Sequence, residues 1–337
     1  MNYITWLLCI IFCFQFGCQS DQTNKQQTII AFGSCSYENV EEQMWDDIIA
    51  QNPDLMVLLG DNIYGDTHDM QLLKQKYDMQ KARPSYQRLV NATQVIGVWD
   101  DHDYGINDGG KYYNKKDSSK LLMLDFLDYS SDHPVRSHQG VYHSYDLKSA
   151  GHLVKIILLD TRYFRDTLMA DTVTAARYLP NPEGDILGEA QWQWLEQELK
   201  SSEADLHIIG SSIQVVAKDH YFEKWANFPK ARTRLLDMIK QIEPKNTLII
   251  SGDRHIAEIA KMEIPGLDYP LYDFTASGLT HTWNGAWEES NKYRVGELIV
   301  AKNYGKLTIN WDRKTVRMDV KGSDNETYSS HSIDLSL

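Results

Sequence analysis

The sequence predicts a layered α/β fold in which two mixed sheets are stacked between helices. Three features predict it. Short continuous apolar runs recur and end on residues able to bind metals or move protons, helix-patterned segments separate the runs, and the carboxyl-terminal part turns to strict alternation. Unbroken apolar runs of this length suit strands covered on both faces. Their alternation with helices suits an α/β layered architecture.

The first run is Thr28-Ile29-Ile30-Ala31-Phe32-Gly33-Ser34-Cys35. The second, Asp54 to Leu59, leads into Gly60-Asp61-Asn62-Ile63-Tyr64, and the third, Val95 to Trp99, into Asp100-Asp101-His102-Asp103. Val154 to Leu159 leads into Asp160-Thr161-Arg162, and Thr247 to Ser251 into Gly252-Asp253-Arg254-His255. Ligands of such sheets bind beyond the carboxyl ends of the strands, so these polar ends are expected to converge on one edge. Between the first two runs, residues 39–49 carry helix-spaced Val40, Met44, Trp45, Ile48 and Ile49. Up to about Asp160 the order reads strand, helix, strand, helix, strand, long insertion, strand. A helix over residues 188–201 then sets Trp192, Leu195 and Leu199 on one face and leads into a strand at 206–210. Another helix, over 231–242, precedes a strand at 246–250. In the last 40 residues, Leu307-Thr308-Ile309-Asn310-Trp311 and Thr315-Val316-Arg317-Met318-Asp319-Val320 alternate around a short turn, as an antiparallel hairpin does. That hairpin favours two mixed sheets over a Rossmann sheet. No linker divides residues 28–337, which read as one domain.

The chain has 337 residues, 42% of them hydrophobic and 24% charged, as in a soluble globular protein. Its 47 acidic and 34 basic residues give a formal charge of −13, the opposite of a nucleic-acid binder's footprint, so no stable nucleic-acid complex is expected. Residues 3–17 form an apolar stretch too short for a standard bilayer span but of the length of a signal-peptide core. It ends in Gly17-Cys18, which looks like the lipobox of bacterial lipoproteins, although no Lys or Arg precedes the stretch. Residues 1–18 therefore read as a signal peptide with a lipidated Cys18 that would attach the chain to a membrane, and 19–27 as a polar tether. Plain secretion and an uncleaved anchor are the alternatives. All three put the protein outside the cytoplasm, in the periplasm or on the cell surface.

Beyond Cys18 the only cysteine is Cys35, which is either a buried small hydrophobe or a metal ligand. Asp61 stands at a strand end with a phenol, Tyr64, three residues on. Its carboxylate can face two cations at once, or it can simply make turn hydrogen bonds. Asp100-Asp101-His102-Asp103 sets three carboxylates around one imidazole. Like charges about 4 Å apart repel strongly at low dielectric, and a cation resolves the repulsion. Asp253 and His255, two residues apart, share a face if the backbone is extended.

Together these motifs resemble the alkaline phosphatase D family of metallophosphoesterases, within the calcineurin-like superfamily. The resemblance spans the exported chain and adds Asn107-Asp108-Gly109-Gly110, Leu159 to Asp166, and Ser277-Gly278-Leu279-Thr280-His281 to the motifs already quoted. It implies a four-layer αββα sandwich, in a short form without an amino-terminal β-sandwich domain. It further implies Fe3+ held by Cys35, Asp61, Tyr64 and His255. Asp61 would bridge to a divalent site, usually Ca2+, that Asp101 and Asp253 serve, and His102 would contact phosphate and protonate the leaving alkoxide. A thiolate and a phenolate suit iron, and carboxylates suit calcium.

The activity implied is hydrolysis of phosphodiesters or phosphomonoesters, small or part of a lipid or polymer, by in-line attack of a metal-bound hydroxide. Ser211-Ser212-Ile213-Gln214 has no counterpart of the histidine that other calcineurin-like enzymes carry before the last motif. Lys111, Arg162 and His281 are further candidates for substrate contact. The lysines of 107–120 also read as a solvated loop, and Arg162 as an ion-pair partner of Asp160 or Asp166. The aromatics of 218–232 read equally as core or as a wall for the substrate's alcohol. A non-catalytic, calcium-stabilised surface lipoprotein that binds a partner or glycan would explain the acidic clusters, but not Cys35, Tyr64, His102 and His255 together.

Overall fold

A computed structural model of the protein describes residues 26–174, 177–285 and 289–336. The expected signal peptide, Cys18 and most of the tether lie outside the described residues. Along the chain come β1 (Gln27–Gly33), α1 (Trp45–Ile49), β2 (Leu55–Leu59), α2 (Met70–Lys81), α3 (Pro84–Ala92), β3 (Gln94–Val98), α4 (Asp101–Tyr104) and α5 (Lys116–Phe126). There follow β4 (His143–Ser149), β5 (His152–Leu158), β6 (Met169–Ala170), β7 (Tyr178–Leu179), α6 (Gly188–Lys200), β8 (Leu206–Ser211), α7 (Pro229–Ile242) and β9 (Thr247–Ser251). The described residues end with β10 (Ala257–Met262), β11 (Leu271–Ala276), β12 (Arg294–Ile299), β13 (Tyr304–Asn310), β14 (Thr315–Lys321) and β15 (Thr327–Asp334).

Two mixed sheets carry the fold. One has the order β15-β14-β13-β1-β2-β3 and the other β12-β10-β11-β9-β8-β5-β4, while β6 and β7 pair separately. β1, β2 and β3 run parallel, as do β5, β8, β9 and β11, and antiparallel strands complete each sheet. The sheets face one another, with Phe32 of β1 edge-on to Phe274 of β11 at 4.9 Å between ring centroids. Side-chain alternation sorts the second sheet into two cores. Ile208, Leu248 and Ile250 point between the sheets, whereas Ile209 and Ile249 pack outward with Trp192 and Leu195 of α6 and Leu235 and Ile239 of α7. Trp45 of α1, Leu73 of α2 and Leu89 of α3 join the inner core across the first sheet. The layers are thus helices, sheet, sheet, helices.

Local departures from the expected order have local causes. The first helix starts at Trp45 rather than near Asn39, because the chain before it is pinned by buried Glu38. Its carboxylate accepts the Tyr64 N–H at 2.9 Å and pairs with Lys76 at 2.8 Å, while Arg83 Nε donates to its carbonyl at 2.9 Å. Two helices rather than one separate β2 from β3, since Pro84 disfavours helical backbone at Arg83 and opens a new helix. The expected hairpin forms as β13 and β14, with Leu307 opposite Met318 and Ile309 opposite Val316. β4 and β15 are edge strands with no counterpart in the sequence reading.

Candidate metal centre and active site

The carboxyl ends of β1, β2, β3 and β9 meet, and the chain turns sharply at each. Cys35, Asp61, Asp253 and His255 all have φ between +49° and +69°, the left-handed region. Such backbone costs non-glycine residues about 1–2 kcal/mol each and tends to cluster at functional sites. Gly60 makes the crossing possible: at φ +97° it lies so close to Asp100 that a Cβ would come within 2.4 Å of the Asp100 backbone nitrogen.

These turns bring three groups of side chains together, the ligand-type atoms of each lying within 4.8 Å of one another. They are Cys35, Asp61 and His255; Asp61, Asp101 and His102; and Asp61, Asp100, Asp101 and Asp253. Asp61 belongs to all three. Cys35 Sγ lies 3.5 Å from Asp61 Oδ2, and Tyr64 Oη lies 2.9 Å from His255 Nε2 and 3.1 Å from His281 Nε2. His281 therefore sits at the site, held by Thr280 Oγ1 at 2.8 Å from its Nδ1.

The electrostatics of the cluster call for a cation. Burial raises the Cys35 thiol well above its ordinary range, and the Asp61 charge adds to this. Burial also raises Tyr64, with Cys35 and Asp61 adding, and raises Asp253, with Asp100 and Asp101 adding. Asp61 is raised by burial too, against the pull of His102. Burial lowers His255 to about 3, helped by His281 and His102, so it stands as a neutral imidazole. Burial likewise favours the neutral form of His102, but Asp61 and the hydrogen bond to Asp66 outweigh it and raise that residue to about 11. Asp100 Oδ2 is buried without a hydrogen-bond partner among the described residues. Disfavoured buried anions, a neutral imidazole and an orphaned carboxylate oxygen form a donor set that fits metal ions.

Not all of the expected residues face the centre in the expected way. Asp103 turns back as a brace, accepting the backbone N–H groups of Asp61 at 3.1 Å, Asn62 at 3.2 Å and Asp100 at 2.6 Å. Asp253 and His255 meet the centre through a loop beyond β9, so their proximity owes nothing to an extended strand. Arg162 is not among the residues that line the cavity beside the centre. It is fully buried, and it pairs with Asp100 at 2.6 Å and Glu223 at 2.5 Å rather than with Asp160 or Asp166. Asp160 accepts the Arg162 and Tyr163 N–H groups and Trp99 Nε1, each at 2.9 Å. Lys111 is paired with Asp166 and lies outside the cavity beside the centre. Lys116 sits over the Tyr163 ring, and Lys120 is buried against the His138 carbonyl, so neither is a free steering charge.

The cations that do line the cavity are Arg177 and Arg254. The cavity, about 120 Å3, is walled by Asp101, His102, Asp253 and His255, and by Phe222 and Trp283. Of the aromatics in 218–232, Trp225 and Phe228 are core, while Phe222 meets Trp283 edge-on at 4.8 Å. Sequence reasoning missed Arg177, for which no motif speaks. It quoted Arg254 only as a neighbour of two ligand candidates, and it counted Asp100 among the three carboxylates around His102 without assigning it to a metal.

The sequence model of the PhoD-like phosphatases matches residues 30–321. The chain belongs to the PhoD-like phosphatase family. Alkaline phosphatase D of Bacillus subtilis (strain 168) is 24% identical over 281 residues, which are 72% of this chain and 48% of that protein. The chain thus spans about half the length of this curated relative. The solved structure of PhoD superposes with a TM-score of 0.68 at 19% identity, covering 92% of this chain and 68% of the other. A dimetal phosphatase from Danio rerio gives 0.54 at 13% identity, covering 92% and 99%. The αββα layering is the fold shared with these two solved structures.

Proposed function

We propose that the protein is an exported, metal-dependent phosphoric ester hydrolase that cleaves phosphodiesters, phosphomonoesters or both. The observation that carries the reading is Asp61, one carboxylate shared by a thiol–imidazole group and an all-carboxylate group, with His102 beside both. Family membership supports it. Cys35, Asp61, Tyr64 and His255 are assigned to Fe3+, and Asp61, Asp101 and Asp253, with Asp100 in the same cluster, to a divalent cation, taken as Ca2+. Bound there, the metals would supply a nucleophile near neutral pH and neutralise charge on the phosphoryl oxygens.

The chain's own groups do the rest. His102 Nδ1 is fixed by Asp66 Oδ2 at 2.7 Å, which assigns Nε2 to the substrate. From Nε2 the proton passes to the leaving alkoxide as the ester P–O bond breaks. Phe222 and Trp283 narrow the cavity. A leader over residues 1–18, with attachment through Cys18, supplies the export.

The test is purification of the chain without residues 1–18, metal analysis by mass spectrometry, and assay of p-nitrophenyl and bis-p-nitrophenyl phosphate. Iron plus a divalent ion together with hydrolysis is the expected result, and the ratio of the two rates assigns monoester or diester preference. Folded protein with calcium alone and no hydrolysis would overturn the reading in favour of a binding scaffold.

A further inference from the structure

A second cavity, of about 410 Å3, adjoins the one beside the metal centre. Asn107 and Asp108 line both, and two consecutive residues part across the divide, Arg177 in the smaller cavity and Tyr178 in the larger. Asp108 forms the ridge between them. Its Oδ2 accepts from Arg177 Nη2 at 2.5 Å and from Tyr178 Oη, and its N–H donates to Asp101 Oδ2 at 2.5 Å. The larger cavity is also walled by His68, two residues beyond the Asp66 that fixes His102. Gly65 N–H donates to the His102 carbonyl at 3.0 Å, and Tyr113 Oη donates to the Thr67 carbonyl at 2.6 Å. The loops that hold the acid in place therefore also build the larger cavity. The smaller cavity, about 120 Å3, falls short of the roughly 300 Å3 at which pockets for drug-sized ligands begin, whereas the larger one lies within that range.

In-line displacement sets the leaving oxygen opposite the attacking one, and the leaving oxygen is the one that takes the proton from His102. The alcohol therefore departs on the His102 side. We propose, resting on the phosphoesterase reading above, that the larger cavity is the subsite for the substrate's alcohol, and that it takes an uncharged alcohol carrying an aromatic ring, as a nucleoside does. The wall supports both parts of this. Tyr112 is 72% exposed and Ile106 39%, and with Tyr178 they offer the ring and apolar surface on which a base stacks. The nearby cations are taken: Arg165 pairs with Glu223 at 2.8 Å, and Lys111, next to Tyr112, pairs with Asp166. Among the described residues that line this cavity, a second phosphate or a carboxylate thus meets no free counter-charge. An acyl chain would set hydrocarbon against Asn107, Asp108 and His68, whereas a nucleoside has a polar edge and hydroxyls to meet them.

The experiment titrates the metal-loaded protein with adenosine and with monobutyrylglycerol, followed by saturation-transfer NMR. Adenosine is expected to bind the more tightly of the two. Tyr112→Ala, a change at an exposed position, should weaken adenosine about 5- to 100-fold through loss of stacking. Tyr112→Phe keeps the ring and should stay within about 3-fold of wild type, and inorganic phosphate, which needs only the smaller cavity, should bind Tyr112→Ala within about 3-fold of wild type as well. Adenosine affinity unchanged in Tyr112→Ala, an equal loss in Tyr112→Phe, or monobutyrylglycerol bound as tightly as adenosine would overturn the proposal. Circular dichroism and metal content guard against a misfolded variant. None of these probes is a phosphate ester, so the titration needs no turnover. A wild type that binds adenosine but hydrolyses no phosphate ester would count against the phosphoesterase reading and leave the ring site standing, whereas hydrolysis without adenosine binding would overturn the site alone.

Discussion

Replacing Arg162 by Met removes the only cation in contact with Asp100 among the described residues. Arg162 and Arg165 balance Asp100 and Glu223 in a network whose four side chains are at most 2% exposed. Arg162 Nε is 2.6 Å from Asp100 Oδ1, and Nη1 is 2.5 Å from Glu223 Oε2. With solvent excluded, removing one partner strands a buried negative charge, a loss of about 3–5 kcal/mol. At roughly 2 °C or somewhat less per kcal/mol for a chain of this size, the unfolding midpoint of metal-free protein should fall by at least about 5 °C in scanning calorimetry. Adding Asp100→Asn removes that stranded charge while Arg165 keeps Glu223 at 2.8 Å, so the double variant should recover a large part of the loss. Asp100 also belongs to the carboxylate cluster, so a divalent cation should raise the midpoint of Arg162→Met more than that of the wild type. A midpoint within 2 °C of wild type, or a double variant no better than the sum of its parts, would refute this account of the network.

Cys35→Ser is expected to remove a thiolate-to-iron charge-transfer band and most of the activity, read by absorption spectroscopy and assay of the iron-loaded protein. Cation binding requires the anions of Cys35, Asp61, Tyr64 and Asp253, each raised by burial in the metal-free protein. Binding should therefore release protons and weaken as pH falls, which titration in buffers of different ionisation enthalpy measures. His102→Ala should retain the metals while turnover drops about 10²- to 10⁴-fold, and unchanged turnover would exclude its role as the acid. His102, raised to about 11 from an unfolded value near 6.5, contributes stability that is complete below about pH 6.5 and lost as pH rises through 11. Asp66→Asn, tolerated at φ +44°, removes one source of that shift, so alkaline unfolding of the metal-free protein should begin at lower pH than in wild type.

What the sequence determined by itself was local or periodic. Unbroken apolar runs meant strands buried on both faces, and Ile208 beside Ile209, or Leu248 and Ile250 around Ile249, do divide between two cores as a period of two requires. Strict alternation marked β13 and β14 as an antiparallel hairpin with one face in the core, and the polar ends of β1, β2, β3 and β9 are where the structure has Cys35, Asp61, Asp101 and Asp253. Only the tertiary structure decided which charged groups meet. Arg162 finds Asp100 and Glu223, 62 and 61 residues away, rather than its neighbours Asp160 and Asp166. The cavity takes Arg177 and Arg254 as its cations and leaves Lys111 to Asp166. Three adjacent carboxylates divide into Asp100 and Asp101 toward the cluster and Asp103 toward backbone N–H groups. The reason is physical: hydrophobic periodicity repeats along the chain and is legible there, whereas a buried charge is placed by whichever distant partner removes its desolvation cost.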